Sequence, residues 1–257
     1  MSSYLFKDTE LARQRLQILA EVFALSTCHF LQSIQSKPHS VLDLGCGPGY
    51  TTHLLAEQLS ANHVFGLDIS ESFIAYAQQT STKRVSFACH DITSVPFPVA
   101  KVDLVYCRML LTHLTEVPEV IARWATQLRS GGLLCLEEVE WIDVRQPTLK
   151  RYLQIVEEML RQQANQLYIG VFLESMPVPP TLKCHSSGLY HHSVTTRDAA
   201  RMFLPNLRTW RDNSYVRSHY SLDDINQLDQ ELSVLAEGPD IIGEIAWGMR
   251  QITYEAA

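Results

Sequence analysis

Apolar residues recur along the chain in short runs that alternate with stretches of helical periodicity. The short runs are typical of parallel strands that are buried on both faces. They are predicted at residues 41–44, 63–68, 85–89, 102–107 and 133–139. Helices are predicted between them, at residues 51–59, 71–79 and 117–128. Strands that alternate with helices in this way indicate a parallel, doubly wound α/β sheet.

Both flanks of this core carry further periodic segments. Residues 8–35 have apolar side chains at helical spacing, which predicts one or two helices ahead of the first strand. After Trp141 the regular alternation of predicted strands and helices ends, and helices are predicted at residues 148–166, 198–203 and 222–235. The remaining predictions are an irregular stretch at 170–190, a strand-like segment at 207–216 and a last, antiparallel strand at 245–254.

We therefore expect one Rossmann-like sheet of seven strands, parallel except for one antiparallel strand. Residues 1–38 are expected to form an N-terminal helical lid, and residues 39–145 the ligand-binding core. Residues 146–257 are expected to supply a substrate lid, as an insertion, and the last two strands of the same domain. Because long irregular segments in compact domains are often binding loops, we expect the substrate to meet residues 165–195.

A glycine-rich turn follows the first predicted strand, with the sequence D-L-G-C-G-P-G at residues 43–49. Glycines at this spacing permit positive φ and let a ligand lie against bare backbone. The next helix points unpaired N–H groups at the same place, which indicates a nucleotide site. The Lys-Ser/Thr pair of triphosphate-binding loops is absent here. Asp43 would repel a phosphate but would hold a cationic ligand, directly or through water.

This motif resembles motif I of the class I S-adenosylmethionine-dependent methyltransferases. With the residues described below, the chain from 40 to 140 is similar to the broad type 11/25 group of that family, which acts on small molecules. The resemblance implies S-adenosylmethionine as the cofactor. The positions at which it implies cofactor contacts are Asp43, Gly45, Gly47, Asp68, Asp91 and Ile92.

Acidic and apolar residues at the strand ends fit this cofactor, because ligands of a doubly wound sheet lie across the carboxyl ends of its strands. Asp68 ends the second strand, where its two oxygens can accept from both ribose hydroxyls. An N-cap for the following helix is the alternative for Asp68. Ile69 would pack on the adenine face, Asp91 would accept from the adenine amino group, and Ile92 would cover the ring.

Further cofactor contacts are expected from the turn, the fourth strand and the N-terminus. Cys46 lies within the glycine turn. Cys107 and Arg108 end the fourth strand, where backbone groups would meet the methionine part of the cofactor. Tyr4 and Arg13 resemble lid residues of relatives, in which an aromatic covers the cofactor and an arginine can meet its carboxylate. A solvated helix face is the alternative for Arg13.

Methyl transfer from a sulfonium needs an aligned nucleophile and, where that nucleophile is protonated, a base. His113 is the best-placed catalytic candidate, with an unperturbed pKa near neutrality. A structural histidine bonded to the backbone is the alternative. Glu137, Glu138 and Glu140 end the fifth strand, where one of them can orient an amine or hydroxyl. A solvated strand end is the alternative for these glutamates.

Composition narrows the choice of partners. The chain of 257 residues has a formal charge of −7 and no Lys/Arg run, which argues against nucleic acid and favours a small-molecule substrate. Six cysteines form no C-x-x-C pair, so neither zinc nor a disulfide framework is indicated, and no metal is expected. We also expect no membrane span, no leader segment and a cytoplasmic location. The sequence leaves open whether the chain forms a homodimer.

Three functions remain open at this point. The leading expectation is an O-, N- or C-methyltransferase that acts on a small molecule, such as a secondary metabolite. Proteins of this fold can also hold S-adenosylmethionine while they catalyse a cyclisation or rearrangement, and a binding module without turnover is the third reading. The residues do not separate the first two functions, because a fold does not fix a reaction.

Overall fold

The centre of the molecule is one mixed β-sheet. The computed structural model describes residues 10–257, and within them the sheet has seven strands in the order β3-β2-β1-β4-β5-β7-β6. The strands are β1 (Ser40–Leu44), β2 (His63–Asp68), β3 (Val85–Cys89), β4 (Val102–Arg108), β5 (Leu128–Val144), β6 (Leu182–Val194) and β7 (Ile245–Ala256). In this part of the chain only β7 runs antiparallel to its neighbours. The predicted doubly wound sheet with one antiparallel strand is confirmed.

Helices connect and flank these strands. They are α1 (Glu10–Val22), α2 (Ala24–Gln32), α3 (Tyr50–Gln58), α4 (Glu71–Gln78), α5 (Val117–Ala125), α6 (Pro147–Gln162), α7 (Ile169–Ser175), α8 (Thr196–Trp210), α9 (Ser214–His219) and α10 (Leu222–Glu237). A 3-10 turn, Leu111–His113, follows β4. Among residues 10–257, none of the helices has both the length and the apolar character needed to cross a membrane.

Both faces of the parallel strands are buried, as their near-continuous apolar runs predict. Successive residues of a strand point to opposite faces. Leu42 and Leu44 of β1 pack in one cluster with Trp124 of α5. Val41 of β1 packs in another cluster with Leu55 of α3. The carboxyl end of β1 is thereby fixed between two layers of helices, and the glycine turn starts from this rigid end.

The C-terminal helices form a third cluster beside β5 and β7. Tyr152 of α6 stacks on Phe203 of α8 with ring centroids 4.1 Å apart, and Trp247 of β7 lies 6.1 Å from the ring of Phe203. Phe23, between α1 and α2, meets Trp247 edge-on at 5.6 Å. The N-terminal helices are therefore packed against the C-terminal helices as well as against the sheet.

The strand-like prediction for residues 207–216 is wrong, because these residues lie in α8 and α9. Leu207 and Trp210 extend the buried face of α8 that includes Phe203. Pro205 lies inside this helix and removes one backbone hydrogen bond. The helix continues through the proline with buried residues on both sides of that position, because α8 packs against α6 and α10.

The prediction of an irregular stretch at residues 170–190 is also wrong, because it contains α7 and most of β6. β6 is an edge strand, and residues 183–188 are exposed on both faces. The sequence there shows no apolar alternation to predict a strand. β6 is ordered by its backbone pairing with β7, a partner about sixty residues away along the chain.

Glu137 of β5 is fully buried and accepts four hydrogen bonds. Its Oε1 accepts from Ser26 Oγ at 2.6 Å and from Gln251 Nε2 at 2.8 Å. Its Oε2 accepts from Thr27 Oγ1 at 2.7 Å and from the hydroxyl of Tyr106 at 2.5 Å. The alternative prediction, that Glu137 lies at a solvated strand end, is therefore wrong. Its carboxylate joins α2 to β4, β5 and β7.

We predict that Glu137→Ala lowers the free energy of unfolding by about 3 kcal/mol or more, because it leaves buried donors on three elements without an acceptor. The measurement is urea denaturation followed by tryptophan fluorescence. Glu119→Ala, at an exposed position of α5, is the control and should cost only a few tenths of a kcal/mol. A similar cost for both variants would contradict the structural role of Glu137.

Candidate functional site

The glycine turn has the backbone geometry that the sequence predicts. Gly45, Gly47 and Gly49 have φ values of 68°, 53° and 91°, a region that residues with a Cβ rarely adopt. The N–H of Gly45 donates to the carbonyl of Leu67 at 2.8 Å, which ties the turn to the end of β2. A Cβ at Gly45 would lie 2.5 Å from Cδ2 of Leu110. The turn therefore requires glycine for its conformation and for the close approach of the next loop.

A cavity of about 620 Å³ lies beside this turn, at the carboxyl ends of the parallel strands. This is the place at which ligands of a doubly wound sheet bind, and the volume falls within the range of small-molecule sites. Most of the residues singled out from the sequence line it. They are Gly45, Cys46, Gly47, Asp68, Ile69, Asp91, Ile92, Arg108 and His113.

Asp43 does not line the cavity, so the expected direct hold on a cationic ligand is wrong. Its carboxyl group is 2% exposed and accepts a hydrogen bond from Thr52 Oγ1 at 2.6 Å, behind the glycine turn. Burial raises the pKa of Asp43 to about 7, although Thr52 and the charge of Arg108 act in the opposite direction. Asp43 therefore fixes β1 to the first turn of α3.

Two further candidates stand outside the cavity wall. Cys107 is buried, with Sγ 3.9 Å from Oε1 of Glu138. Arg13 is not part of the cavity wall: its Nη1 donates at 3.1 Å to the hydroxyl of Tyr50, which lines the cavity, and its guanidinium lies 4.5 Å from the ring centroid of Tyr76. Neither Cys107 nor Arg13 lines the described cavity. Tyr4 lies outside the described residues.

Asp68 is hydrogen-bonded to the glycine turn. Its Oδ2 accepts from the backbone N–H of Gly47 at 2.8 Å, and its Oδ1 accepts from the N–H of Ser70 at 2.8 Å. The alternative N-cap role is wrong for Asp68, because Ser70 is the residue that caps α4 and accepts from Phe73 N. Each carboxylate oxygen has a second lone pair, so Asp68 can still accept from a ligand in the cavity.

Asp91 lies across the cavity in a turn of its own. Its Oδ1 accepts from the N–H and the hydroxyl of Thr93 at 2.9 and 2.6 Å, and its Oδ2 accepts from Ser94 Oγ at 3.1 Å. Burial would raise the pKa of Asp91, but these hydrogen bonds lower it, so the group is an anion at neutral pH. Ile69 is 63% exposed at the cavity although it is apolar, and Ile92 is buried in its wall. Both are apolar residues of the cavity wall, a surface that suits a flat ring.

Arg108 supplies positive charge next to the glycine turn. Its Nη1 donates to Thr27 Oγ1 at 2.9 Å, and its Nη2 donates to Thr51 Oγ1 at 2.8 Å in the first turn of α3. Thr27 in turn donates to the buried Glu137. Arg108 is therefore held at the cavity wall by the same hydrogen-bonded group that attaches α2 to the sheet.

Glu138 shapes the loop that follows β4. It is 1% exposed, and its Oε1 accepts from the backbone N–H groups of Leu110 and Leu111 at 2.8 and 2.9 Å. Burial raises the pKa of Glu138 to about 7, against the effect of these hydrogen bonds. The alternative prediction of a solvated strand end is therefore also wrong for Glu138. Glu140, the third of these glutamates, is paired with Arg250. Sequence reasoning missed this role because it depends on the loop folding back over β5.

His113 lines the cavity at the end of the 3-10 turn. The pKa of its imidazole falls to about 4, mainly because of burial and also because of the charge of Arg15. The pKa therefore lies below the near-neutral value of an unperturbed imidazole, and the surroundings favour the neutral form. A neutral imidazole can donate or accept a hydrogen bond, but it is a weak base at pH 7.

Residues 165–195 contribute less to the cavity than expected, since Asn165 is the residue of that segment that lines it. Gln163, at the end of α6, lies beside it. The wall on this side also includes Arg15 and Leu19 of α1. The arginine of α1 that lines the cavity is therefore Arg15, two residues after the predicted Arg13. A helical projection that places Leu16 and Leu19 inward also places Arg15 near the same face.

A comparison with protein families matches residues 41–132 to a methyltransferase domain. These residues belong to the class I S-adenosylmethionine-dependent methyltransferases. The cofactor of this family is S-adenosylmethionine. The methyltransferase domain contains the glycine turn, Asp68, Asp91 and Arg108. The resemblance stated from the sequence is confirmed.

This chain is 33% identical over 132 residues to trans-aconitate 2-methyltransferase of Delftia acidovorans, a match that covers 51% of this chain and 47% of that protein. It is 31% identical over 106 residues to a ubiquinone biosynthesis O-methyltransferase of Coxiella burnetii, covering 40% of this chain and 44% of that protein. The match thus spans less than half the length of either relative.

Solved structures resemble the chain over more of its length. A methyltransferase of Thiobacillus denitrificans in complex with S-adenosyl-L-homocysteine has a TM-score of 0.53 at 17% identity, covering 91% of this chain and 90% of that one. Coclaurine N-methyltransferase has a TM-score of 0.55 at 16% identity, covering 99% of this chain and 77% of that one. At this identity the likeness shows a shared fold.

We predict that Asp43→Asn stabilises the protein more at pH 8 than at pH 5. The folded state holds the Asp43 proton up to about pH 7, whereas the unfolded chain releases it near pH 4. The folded state therefore binds more protons between these values, and the contribution of Asp43 to stability falls as the pH rises through this window. The difference between variant and wild type should grow by about 2 to 3 kcal/mol from pH 5 to pH 8.

Urea denaturation at the two pH values measures this difference. Asp212→Asn, at an exposed position, is the matched control and should show no comparable pH dependence. A constant difference between Asp43→Asn and wild type would mean that Asp43 is ionised in the folded protein at pH 5.

We also predict that His113 stays neutral from pH 5 to pH 8, because burial and Arg15 lower its pKa to about 4. Nitrogen-15 NMR of the imidazole ring, assigned with His113→Gln, measures the titration directly. A midpoint near 6.5 would restore His113 as a base that is poised for proton transfer at neutral pH.

Proposed function

We propose that this chain is an S-adenosylmethionine-dependent methyltransferase that acts on a small molecule. One observation carries the proposal: Asp68 accepts from the N–H of Gly47, so the acid at the end of β2 and the bare glycine turn meet at one edge of the cavity. A carboxylate beside unhindered backbone is the pair that an adenosyl ligand needs.

The residues in place fit the cofactor part by part. Asp68 would accept from the ribose hydroxyls, Ile69 and Ile92 would pack on the adenine ring, and Asp91 would accept from its amino group. Arg108 would pair with the carboxylate of the amino-acid part, next to the glycine turn. The exposed apolar surface of Ile69 supports this assignment, because a ligand ring would cover it.

The chemistry follows from this placement. When bound, S-adenosylmethionine supplies a methyl group on a positively charged sulfur that is already activated for transfer. The chain contributes alignment and the exclusion of water. Leu110, held over Gly45 by the hydrogen bonds from its loop to Glu138, walls the cavity beside the turn. We propose that His113 orients the substrate through a hydrogen bond.

A small molecule is the substrate that the cavity and charge support. The volume of about 620 Å³ leaves no room for a macromolecule inside, and the formal charge of −7 disfavours nucleic acid. The six cysteines are all free thiols, which suits the reducing cytoplasm. The relatives are named for trans-aconitate and for ubiquinone biosynthesis, so their names do not agree on a substrate.

We predict that Asp68→Ala weakens the binding of S-adenosylmethionine and S-adenosylhomocysteine by about 10- to 100-fold. It removes charge-assisted hydrogen bonds to the ribose, each about 1.5 to 3 kcal/mol. Isothermal titration calorimetry gives the affinities. Asp212→Ala is the control, since this aspartate is exposed and far along the chain from the cavity residues. Unchanged affinity in Asp68→Ala would refute the ribose role and weaken the functional proposal with it.

The reaction itself is tested with methyl-labelled cofactor and a metabolite extract. Label in a product supports methyl transfer. Consumption of a substrate without label in its product would instead support the cyclisation or rearrangement reading, and cofactor binding without any turnover would support the binding module.

A further inference from the structure

The turn that joins α6 to α7 forms part of the cavity wall. Gln163 and Asn165 of this turn line the cavity. The hydroxyl of Thr112 donates to the carbonyl of Gln166, so the turn is tied to the loop that follows β4. None of the cofactor contacts proposed above falls in this turn, and it is therefore available to the methyl acceptor.

The backbone of the turn is fixed in a strained conformation. The N–H of Asn165 donates to the carbonyl of Leu160 at 2.9 Å. The N–H of Ala164 donates to the carbonyl of Arg161 at 3.1 Å. These two bonds form a Schellman motif, whose left-handed position is usually taken by glycine. Here Ala164 takes it, with a φ of 58°, which costs energy for a residue with a Cβ. Strain of this kind clusters at binding and active sites.

The amide of Asn165 lacks a partner at its oxygen. Oδ1 is shielded from solvent, and no donor among residues 10–257 bonds to it. A buried acceptor without a donor is unfavourable, and such groups are rare in folded proteins. Because Asn165 belongs to the cavity wall, a molecule bound in the cavity can supply the donor that the fold does not provide.

We propose that Asn165 binds the methyl acceptor, through a hydrogen bond that an O–H or N–H group of the acceptor donates to Oδ1. This inference rests on the proposed methyltransferase function and adds a specificity-determining residue to its site. The acceptor is then a hydroxyl or amine compound. The strained turn fixes the side chain before the acceptor arrives, which lowers the cost of ordering it on binding.

A buried acceptor of this kind selects between substrates. A compound that carries the donor satisfies Oδ1, whereas an analogue without the donor leaves Oδ1 unpaired in the complex. A site built to bond a hydroxyl or N–H group rejects such an analogue far more strongly than an apolar contact would. Removal of the oxygen should therefore weaken the binding of the acceptor and leave the binding of the cofactor unchanged.

Two substitutions at Asn165 test this contact. Asn165→Leu removes the accepting oxygen at similar volume and should raise KM for the acceptor about tenfold. Asn165→Asp keeps an accepting oxygen in the same place, so its KM should be no higher than that of the wild type. Gln162→Leu makes the matched amide-to-leucine change at an exposed position at the end of α6, and its KM should equal that of the wild type.

The measurement does not require the identity of the acceptor. The purified full chain is incubated with methyl-tritiated S-adenosylmethionine and a deproteinised metabolite extract, and the principal labelled product is isolated by chromatography. Its rate of formation against the concentration of the extract gives an apparent KM for each variant. Calorimetry with S-adenosylhomocysteine gives the cofactor affinity, and thermal unfolding identifies variants that are not folded. If Asn165→Leu does not fold, Asn165→Ala takes its place with the same expected rise in KM.

The remaining outcomes separate this inference from the functional proposal. A KM that rises more in Asn165→Asp than in Asn165→Leu would mean that the amide donates to the acceptor, and it would overturn the hydroxyl or amine class. A wild-type KM in Asn165→Leu would overturn the role of Asn165 and leave methyl transfer intact. An equal loss of cofactor affinity would assign Asn165 to the cofactor instead. No labelled product from a protein that binds the cofactor would overturn methyl transfer itself.

Discussion

A buried carboxylate, that of Glu137, attaches the N-terminal helices to the sheet. Its four hydrogen bonds come from α2, β4 and β7. A buried carboxylate is stable only while its donors are in place, so the position of α2 is specified closely. Thr27 extends the arrangement, because it accepts from Arg108 at the cavity wall. The cover over the glycine turn and the positive charge beside it therefore depend on one side chain of β5.

The next residue of the same strand shapes the opposite wall. Glu138 accepts from the backbone of Leu110 and Leu111, and Leu110 packs against Gly45. Because neighbouring residues of a strand point to opposite faces, two consecutive glutamates serve two separate parts of the site. Glu137 holds α2, the helix that follows the cavity-lining α1, and Glu138 holds the loop that carries His113. Glu137 and Glu138 therefore shape the site indirectly, through the backbone and side-chain groups to which they are hydrogen-bonded.

Much of the cofactor side of the site could be predicted from the sequence, and the reason is local. The glycine turn follows β1 directly, and Asp68 ends β2, so short segments with clear patterns set both positions. Asp43 carries the same functional group as Asp68 and lies within the glycine motif itself, yet it is turned behind the glycine turn onto Thr52. The carboxylate of Asp43 lies behind the turn because Thr52 of α3 donates to it there. The glycine motif by itself does not predict this contact.

The sequence by itself determined the parallel sheet, the glycine turn and the family, because apolar runs and glycine spacing act over a few residues. The tertiary structure decided the path of α8 through Pro205, the order of β6 and the place of Arg15 and Asn165 in the cavity. Each of these depends on partners far along the chain, such as β7 for β6. Local sequence patterns reflect backbone conformation and which residues are buried. Contacts between side chains that are distant along the chain form only when the helices pack on the sheet, so local patterns do not predict them.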